Sequence, residues 1–231
     1  MTTTDYIVRD SGPVTLIGGG EAFEGDLEAA LALAPTCVAA DSGAALAVAA
    51  GVPLTALIGD LDSTPAEVLA QVPTERCHRI AEQESTDFEK ALTRIDAPLV
   101  LGVGFTGARV DHQLAAFNTL AAHPHLPCIL LGAQEIVMLA PPQITLPTAA
   151  GDVVSLMPLG PVQGRSVGLE WPIDGLDFAP GGRIGTSNRA LGSVKLEISG
   201  PDMLLILPRR LMAPLAAQLL RPMHVPWPAR A

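Results

Sequence analysis

The sequence predicts two parts: an N-terminal parallel-sheet α/β domain of Rossmann-like type, then a C-terminal antiparallel β-sandwich. Two observations carry this. From Val14 to about Leu139, short apolar runs alternate with alanine-rich amphipathic stretches, the pattern of strands and helices in a βαβ series. After Pro141-Pro142 that pattern stops, because prolines forbid helix continuation, and strand-length runs between Gly/Pro turns replace it. The boundary therefore falls there, giving an α/β catalytic domain over 1–142 and a sandwich over 143–231.

In the first part, strands are predicted at 14–17, 37–40, 56–58, 78–80, 99–103 and 128–131, and helices at 26–33, 44–50, 66–71, 88–95 and 112–121. Strands this apolar belong to a parallel sheet covered on both faces. In the second part, strands are predicted at 153–157, 166–169, 184–186, 194–198 and 204–207, with Pro180-Gly181-Gly182 among the turns. A closing helix is expected over 211–220, and the tail bearing Pro222, Pro226 and Pro228 is expected to be irregular.

Composition narrows the function. The chain is 48% hydrophobic, enough for a substantial core, and its net charge of −10 disfavours a nucleic-acid or anionic-membrane partner. The acidity is local: residues 1–149 carry −12 and residues 150–231 carry +2. Such a concentration is either a solvated surface or a divalent-cation site. Cys37, Cys77 and Cys128 lie far apart with no C-x-x-C pair, against a disulfide framework or zinc cluster and in keeping with a reducing cytoplasm. Met1 to Pro13 lacks the pattern of a secretory leader, and no apolar run approaches the ~18 residues of a spanning helix, so a soluble, cytoplasmic protein is expected.

In open α/β sheets, ligands bind beyond the carboxyl ends of the strands. The predicted strands are followed in turn by Gly18-Gly19-Gly20, Asp41-Ser42-Gly43, Gly59-Asp60-Leu61-Asp62-Ser63, Glu84-Ser85-Thr86-Asp87 and the stretch from Gly104 to His112. The glycine triplet allows close approach to an oxyanion or simply makes a tight turn, and the absence of G-K-[ST] excludes a Walker A loop. If the backbone there is extended, Asp60 and Asp62 point to one side and suit magnesium; alternatively one of them, Ser63 or Thr64 caps the next helix. Asp87 opens a helix as a cap or faces a ligand. Arg109 can clamp phosphate oxygens while Asp111 holds a metal or accepts a hydroxyl proton, or the two form a surface ion pair, with His112 beside them. In the second part, Trp171 stacks on a flat cationic ring or packs in the core, and Ser187 and Asn188 orient a polar ligand or stabilise a turn.

In this order and spacing, from about Thr15 to Pro208, these motifs together with Gly185-Thr186-Ser187-Asn188 resemble the thiamine pyrophosphokinase family. The resemblance implies transfer of a pyrophosphoryl group from ATP to the hydroxyethyl group of thiamine, giving thiamine diphosphate and AMP. It implies Mg²⁺ held by Asp60, Asp62 and Asp87, and catalytic roles for Asp62, Asp87, Arg109 and Asp111. ATP contacts would come from Gly19, Asp41, Ser42, Thr86, Arg109 and His112, and thiamine contacts from Trp171, Ser187 and Asn188. A homodimer with active sites at the subunit interface is also implied. The chain departs from the family pattern at Ser42, Ala108 and Ala116, positions of nucleotide contact, and no departure removes a metal-type carboxylate. Two alternatives stand beside this: another Mg-dependent phosphotransferase or phosphohydrolase, and a non-catalytic regulator that binds nucleotide or thiamine.

Overall fold

The structure, a computed structural model, describes residues 6–107 and 109–230. It is a mixed α/β protein of two compact units, separated in sequence between Thr119 and Leu120. Ala108, one of the departures noted above, lies outside the described residues.

The first unit contains, in order, β1 (Val8–Arg9), β2 (Val14–Ile17), α1 (Asp26–Leu31), β3 (Thr36–Ala40), α2 (Ala44–Ala49), β4 (Ala56–Gly59), α3 (Ala66–Leu69), β5 (Cys77–Arg79), α4 (Asp87–Leu92), β6 (Ile95–Asp96), β7 (Val100–Val103) and the start of α5 (Val110–Ala122). Five of these strands pair in parallel in the order β7-β2-β3-β4-β5. β1 and β6 make a separate parallel pair. The register aligns Ile17 with Ala39 and Ala39 with Leu57, so these side chains share one face. That face packs on Leu27 of α1, Ala44 and Ala47 of α2 and Val68 of α3. The alanines let α2 come close, and each fully buried Leu or Ile contributes about 1.5–3 kcal/mol. α4 lies against β3 and β4.

The topology decides where a ligand can sit. From β2 the chain adds β3, β4 and β5 to one side, then returns to place β7 on the other flank. The carboxyl ends of β2 and β7 therefore flank the point where the strand order reverses, the usual crevice of such sheets. The predicted strands appear with ends shifted by a residue or so. Helices α1 to α4 are shorter than predicted and α5 is longer at both ends, and the two-residue strands β1 and β6 carry no periodicity that could announce them.

The second unit contains the antiparallel strands β8 (Cys128–Leu131), β9 (Glu135–Leu139), β10 (Gln143–Leu146), β11 (Val153–Pro158), β12 (Val162–Leu169), β13 (Asp177–Phe178), β14 (Gly185–Ile198) and β15 (Met203–Pro208), then α6 (Met212–Leu219). Their order is β8-β9-β15-β11-β14-β12-β13, with β10 also on β14. Two predicted strands, 184–186 and 194–198, are one long strand. The polar Ser187-Asn188 and Gly192 read as turn residues, but here the strand continues through them, pairing with β11 near its start and with β10 and β12 near its end. Register shifts at Val154/Leu156 and Val167/Leu169, and Ser187 at φ 60°, take up the irregularity. The proline-bearing tail has no regular element but is tied down by the Trp227 indole, which donates to the Ala140 carbonyl at 2.8 Å. Among the described residues, no helix is long and apolar enough to cross a membrane.

Candidate active site

Because β2, β3, β4 and β7 run parallel, the residues that follow them gather along one edge of the first unit. The glycine triplet after β2 meets the loop after β7 directly. Gly18 N donates to the Val103 carbonyl at 2.8 Å and Gly20 N to the Gly104 carbonyl at 2.9 Å. Gly104 has φ 77°, and a Cβ there would lie 2.6 Å from the Gly18 oxygen, so glycine is required on steric and conformational grounds. Two amides of the triplet are thus committed to the chain itself; Gly19 is the member not taken up in this way.

Beside this contact lies a cleft of about 490 Å³, within the usual range for small-molecule sites. Gly19, Ser42, Asp60, Thr86, Asp87, Arg109 and His112 line it, as do Lys90, Gln83 and Ala116. Phe88 and Phe105, ring centroids 4.4 Å apart, supply an apolar part of its wall.

Carboxylate oxygens of Asp41, Asp60 and Asp87 lie within 4.8 Å of one another. Asp41, first after β3, is held at φ 43°, a conformation that costs a non-glycine residue about 1–2 kcal/mol. The hydroxyls of Ser63 (2.9 Å) and Thr64 both donate to its carboxylate. These two side chains therefore fix Asp41, and α3 follows Pro65 with no side-chain cap. Thr86 is the cap of α4, accepting from Glu89 N at 3.2 Å, which leaves Asp87 at the first helical position to face the cleft.

Asp62 lies beside Asp60 but outside the group of three. Leu61 has φ 66°, so the segment is not extended. Asp62 N turns back to Asp60 Oδ1 at 3.3 Å, and the Asp62 side chain, largely exposed, also meets the Asp60 carboxyl. Asp111 is also outside the group. It forms a two-pronged pair with Arg109, Nε to Oδ1 at 3.1 Å and Nη2 to Oδ2 at 2.6 Å, with side chains 67% and 65% exposed. The Arg109 guanidinium holds the Asp111 carboxyl below its ordinary range.

Sequence reasoning missed Lys90. It is 2% exposed, and its ammonium donates to Asp60 Oδ2 at 3.0 Å and Asp87 Oδ1 at 3.3 Å. Gln83 Nε2 adds a bond to Asp60 Oδ2 at 2.9 Å. The Lys90 hydrogen bond holds Asp60 well below the usual carboxylate range. Burial pushes Asp87 upward, helped by the charges of Asp41 and Asp60 and opposed by Lys90. For Lys90 itself burial opposes the charge, but the hydrogen bond to Asp60 and the Asp87 charge outweigh it and its pKa is raised. One signal was present: Lys90 follows Asp87 by three positions, the spacing that puts two side chains on the same helix face.

In the second unit, Trp171 is 53% exposed, so it is not a core residue. Its turn is clamped by buried Asn188, whose Nδ2 donates to the Trp171 carbonyl at 2.7 Å and whose Oδ1 accepts from Trp171 N at 3.2 Å and Arg189 N at 2.8 Å. The Arg189 guanidinium lies 5.9 Å from the indole centroid. Ser187, in its left-handed conformation, donates its amide to Ser155 Oγ at 2.9 Å.

Oxygen donors in this arrangement suit a hard divalent cation. Opposite oxygens around magnesium are about 4.2 Å apart, so a spread of 4.8 Å fits direct bonds from some of the three carboxylates and water-mediated bonds from the rest. A glycine-walled cleft at the reversal point of a parallel sheet, with clustered carboxylates that could hold a metal ion and an arginine at its rim, is an arrangement that suits a phosphorylated ligand.

The comparisons with known proteins are specific. Residues 27–130 match the model for the thiamin pyrophosphokinase catalytic domain, and residues 143–202 match that for the thiamin pyrophosphokinase vitamin B1 binding domain. Together the two spans cover more than two thirds of the chain, and the chain belongs to the thiamine pyrophosphokinase family. It is 26% identical over 149 residues to thiamine pyrophosphokinase 1 of Arabidopsis thaliana and 28% identical over 149 residues to thiamine pyrophosphokinase 3 of Oryza sativa subsp. japonica. In each case 56% of this chain is covered, and the chain spans 56% of the relative's length. Its fold is shared with the thiamin pyrophosphokinase of Geobacillus thermodenitrificans, at TM-score 0.72 and 24% identity over 85% of this chain and 97% of that one. The Candida albicans thiamin pyrophosphokinase gives TM-score 0.72 at 16% identity, over 90% of this chain and 95% of that one.

Proposed function

We propose that this chain is a thiamine diphosphokinase, transferring pyrophosphate from ATP to the thiamine hydroxyl to give thiamine diphosphate and AMP. The observation that carries the reading is the glycine-walled cleft with Asp41, Asp60 and Asp87 grouped beside it, in a chain of this family. Residues 1–142 form the Rossmann-like domain that takes nucleotide and metal, and residues 143–231 form the β-sandwich that takes thiamine and pairs two subunits, the active sites lying at their interface. A cytoplasmic location accords with three free cysteines.

Mg²⁺ would be held by Asp60 and Asp87, with Asp41 joining them and Asp62 within reach beside Asp60. Bound there, it would neutralise charge on the phosphate oxygens. The chain's own residues do the rest. Gly19, Ser42, Thr86 and His112 line the wall along which ATP lies. Arg109 is paired to Asp111 in open solvent, where such a pair costs little to separate. Arg109 turning to the β-phosphate releases Asp111, whose carboxylate regains basicity and accepts or orients the thiamine hydroxyl proton as the oxygen attacks. The exposed Trp171 indole stacks on the cationic ring of thiamine, with Ser187 beside it and Asn188 holding the turn. Positioning and charge stabilisation carry the rate, and no covalent intermediate is needed.

The test is incubation of the protein with ATP, Mg²⁺ and thiamine. AMP and thiamine diphosphate should form in equal amounts. AMP release independent of thiamine would point to a phosphohydrolase, and tight binding with no product to a regulator.

A further inference from the structure

We infer that Lys90 is the resident cation of the carboxylate group, a positioning residue that holds Asp60 and Asp87 together and limits how tightly the free protein takes up a divalent ion. The inference rests on the phosphoryl-transfer reading above and adds a role for a residue that reading does not use.

Burying an ammonium is costly unless it is paired, and Lys90 is almost wholly buried with its nitrogen between two carboxylates. The donors around the group show how far it is already satisfied. Both oxygens of Asp41 accept from Ser63 and Thr64. Asp60 Oδ1 accepts from Asp62 N, and its Oδ2 accepts from Lys90 and Gln83. Asp87 Oδ1 accepts from Lys90, which leaves Asp87 Oδ2, among the described residues, as the oxygen with no protein donor. Each ionised carboxylate has about four acceptor sites, so capacity for a metal remains.

Charge is what Lys90 changes. Three carboxylates carry −3 and Lys90 brings the group to −2, which one divalent ion balances. Without the lysine the same oxygens would attract a cation more strongly, because a positive charge about 3 Å from two of them has gone. Lys90 therefore keeps the free protein's grip on metal weak, so that the ion is taken up mainly together with the charge of the nucleotide phosphates.

The experiment measures Mn²⁺ uptake by the full-length chain through the loss of the free-ion EPR signal, with and without a non-hydrolysable ATP analogue. Wild type is compared with Lys90→Gln, which keeps a donor for Asp60 and drops the charge, with Lys90→Met, which drops both, and with Lys90→Arg, which keeps the charge. Thermal melts establish that each is folded, and if the Met variant is not, the Gln and Arg variants decide. Without the analogue, Lys90→Gln and Lys90→Met should bind Mn²⁺ about tenfold tighter than wild type, and Lys90→Arg no tighter. The analogue should narrow that gap. If the neutral variants bind Mn²⁺ equally or more weakly while wild type binds it with the analogue, Lys90 is scaffold alone and the inference is overturned. If no protein binds Mn²⁺ in either condition, the phosphoryl-transfer reading falls first and takes this inference with it.

Discussion

Asp41, Asp60 and Asp87 gather around the buried Lys90 in a largely enclosed group, Asp87 being its part-exposed member, whereas Arg109 and Asp111, past the end of β7, satisfy each other in open solvent. Both contain acidic residues close to a strand's carboxyl end, and in the sequence they look alike. The buried group is held by side chains from three segments: Ser63 and Thr64 on Asp41, Gln83 on Asp60, and Lys90 on both Asp60 and Asp87. Among the described residues, the exposed pair is held by nothing beyond itself and the His112 amide, which donates to Asp111 at 3.0 Å. A charge group anchored on a buried lysine is organised before any ligand arrives; an exposed pair is free to exchange partners when one does. The first suits binding a metal and the second suits answering a substrate.

The largest effect that would break this comparison is at Asp60. Asp60→Asn should lower kcat by about a thousandfold or more, the scale of losing a principal electrostatic contributor. It should also cost about 2–3 kcal/mol of stability, because Lys90 loses a partner. Kinetics and denaturant melts on the same variant check both, and Asp62→Asn should lose much less of each. Arg109→Ala should lower kcat about a hundredfold with no change in Tm, since an exposed pair contributes almost nothing to folding. A fall in Tm there would mean that the pair is structural.

The second unit sharpens the contrast between positioning and contact. Trp171→Ala should raise the thiamine KM about tenfold at unchanged kcat, whereas Asn188→Ala should cost about 2 kcal/mol by leaving the Trp171 turn without its backbone bonds. The smallest effect concerns Asp152, held below its ordinary range chiefly by the Arg210 hydrogen bond, against burial. A depressed carboxylate contributes stability that is fully present above its unfolded value near pH 4 and is lost as pH falls through its lower folded value. Arg210→Gln should therefore cost about 1 kcal/mol near neutral pH and less below pH 4, as read from melts across that range.

Much of the fold was legible because apolar runs such as Val14–Ile17 and Cys128–Leu131 are bounded on each side by a proline or a glycine, which interrupt the apolar pattern. β14 was read as two strands because Asn188 looks like a turn former; its amide instead bonds the backbone across to Trp171, a partner seventeen positions away that no local rule supplies. In the site, the acidic positions at strand ends could be read from spacing, but which of them converge could not. That depended on a left-handed Leu61, which sets Asp62 beside Asp60 but outside the group of three, and a left-handed Asp41 turning inward. Lys90 was hidden for a related reason. A lone lysine on a short helix reads as a surface charge, and its burial follows from α4 lying against β3 and β4.

The most direct test of the central claim is to locate the metal. Anomalous scattering from crystals grown with Mn²⁺ and a non-hydrolysable ATP analogue should show a peak among the oxygens of Asp41, Asp60 and Asp87, next to the analogue's phosphates. A peak at Asp111 with none in that group would contradict the account.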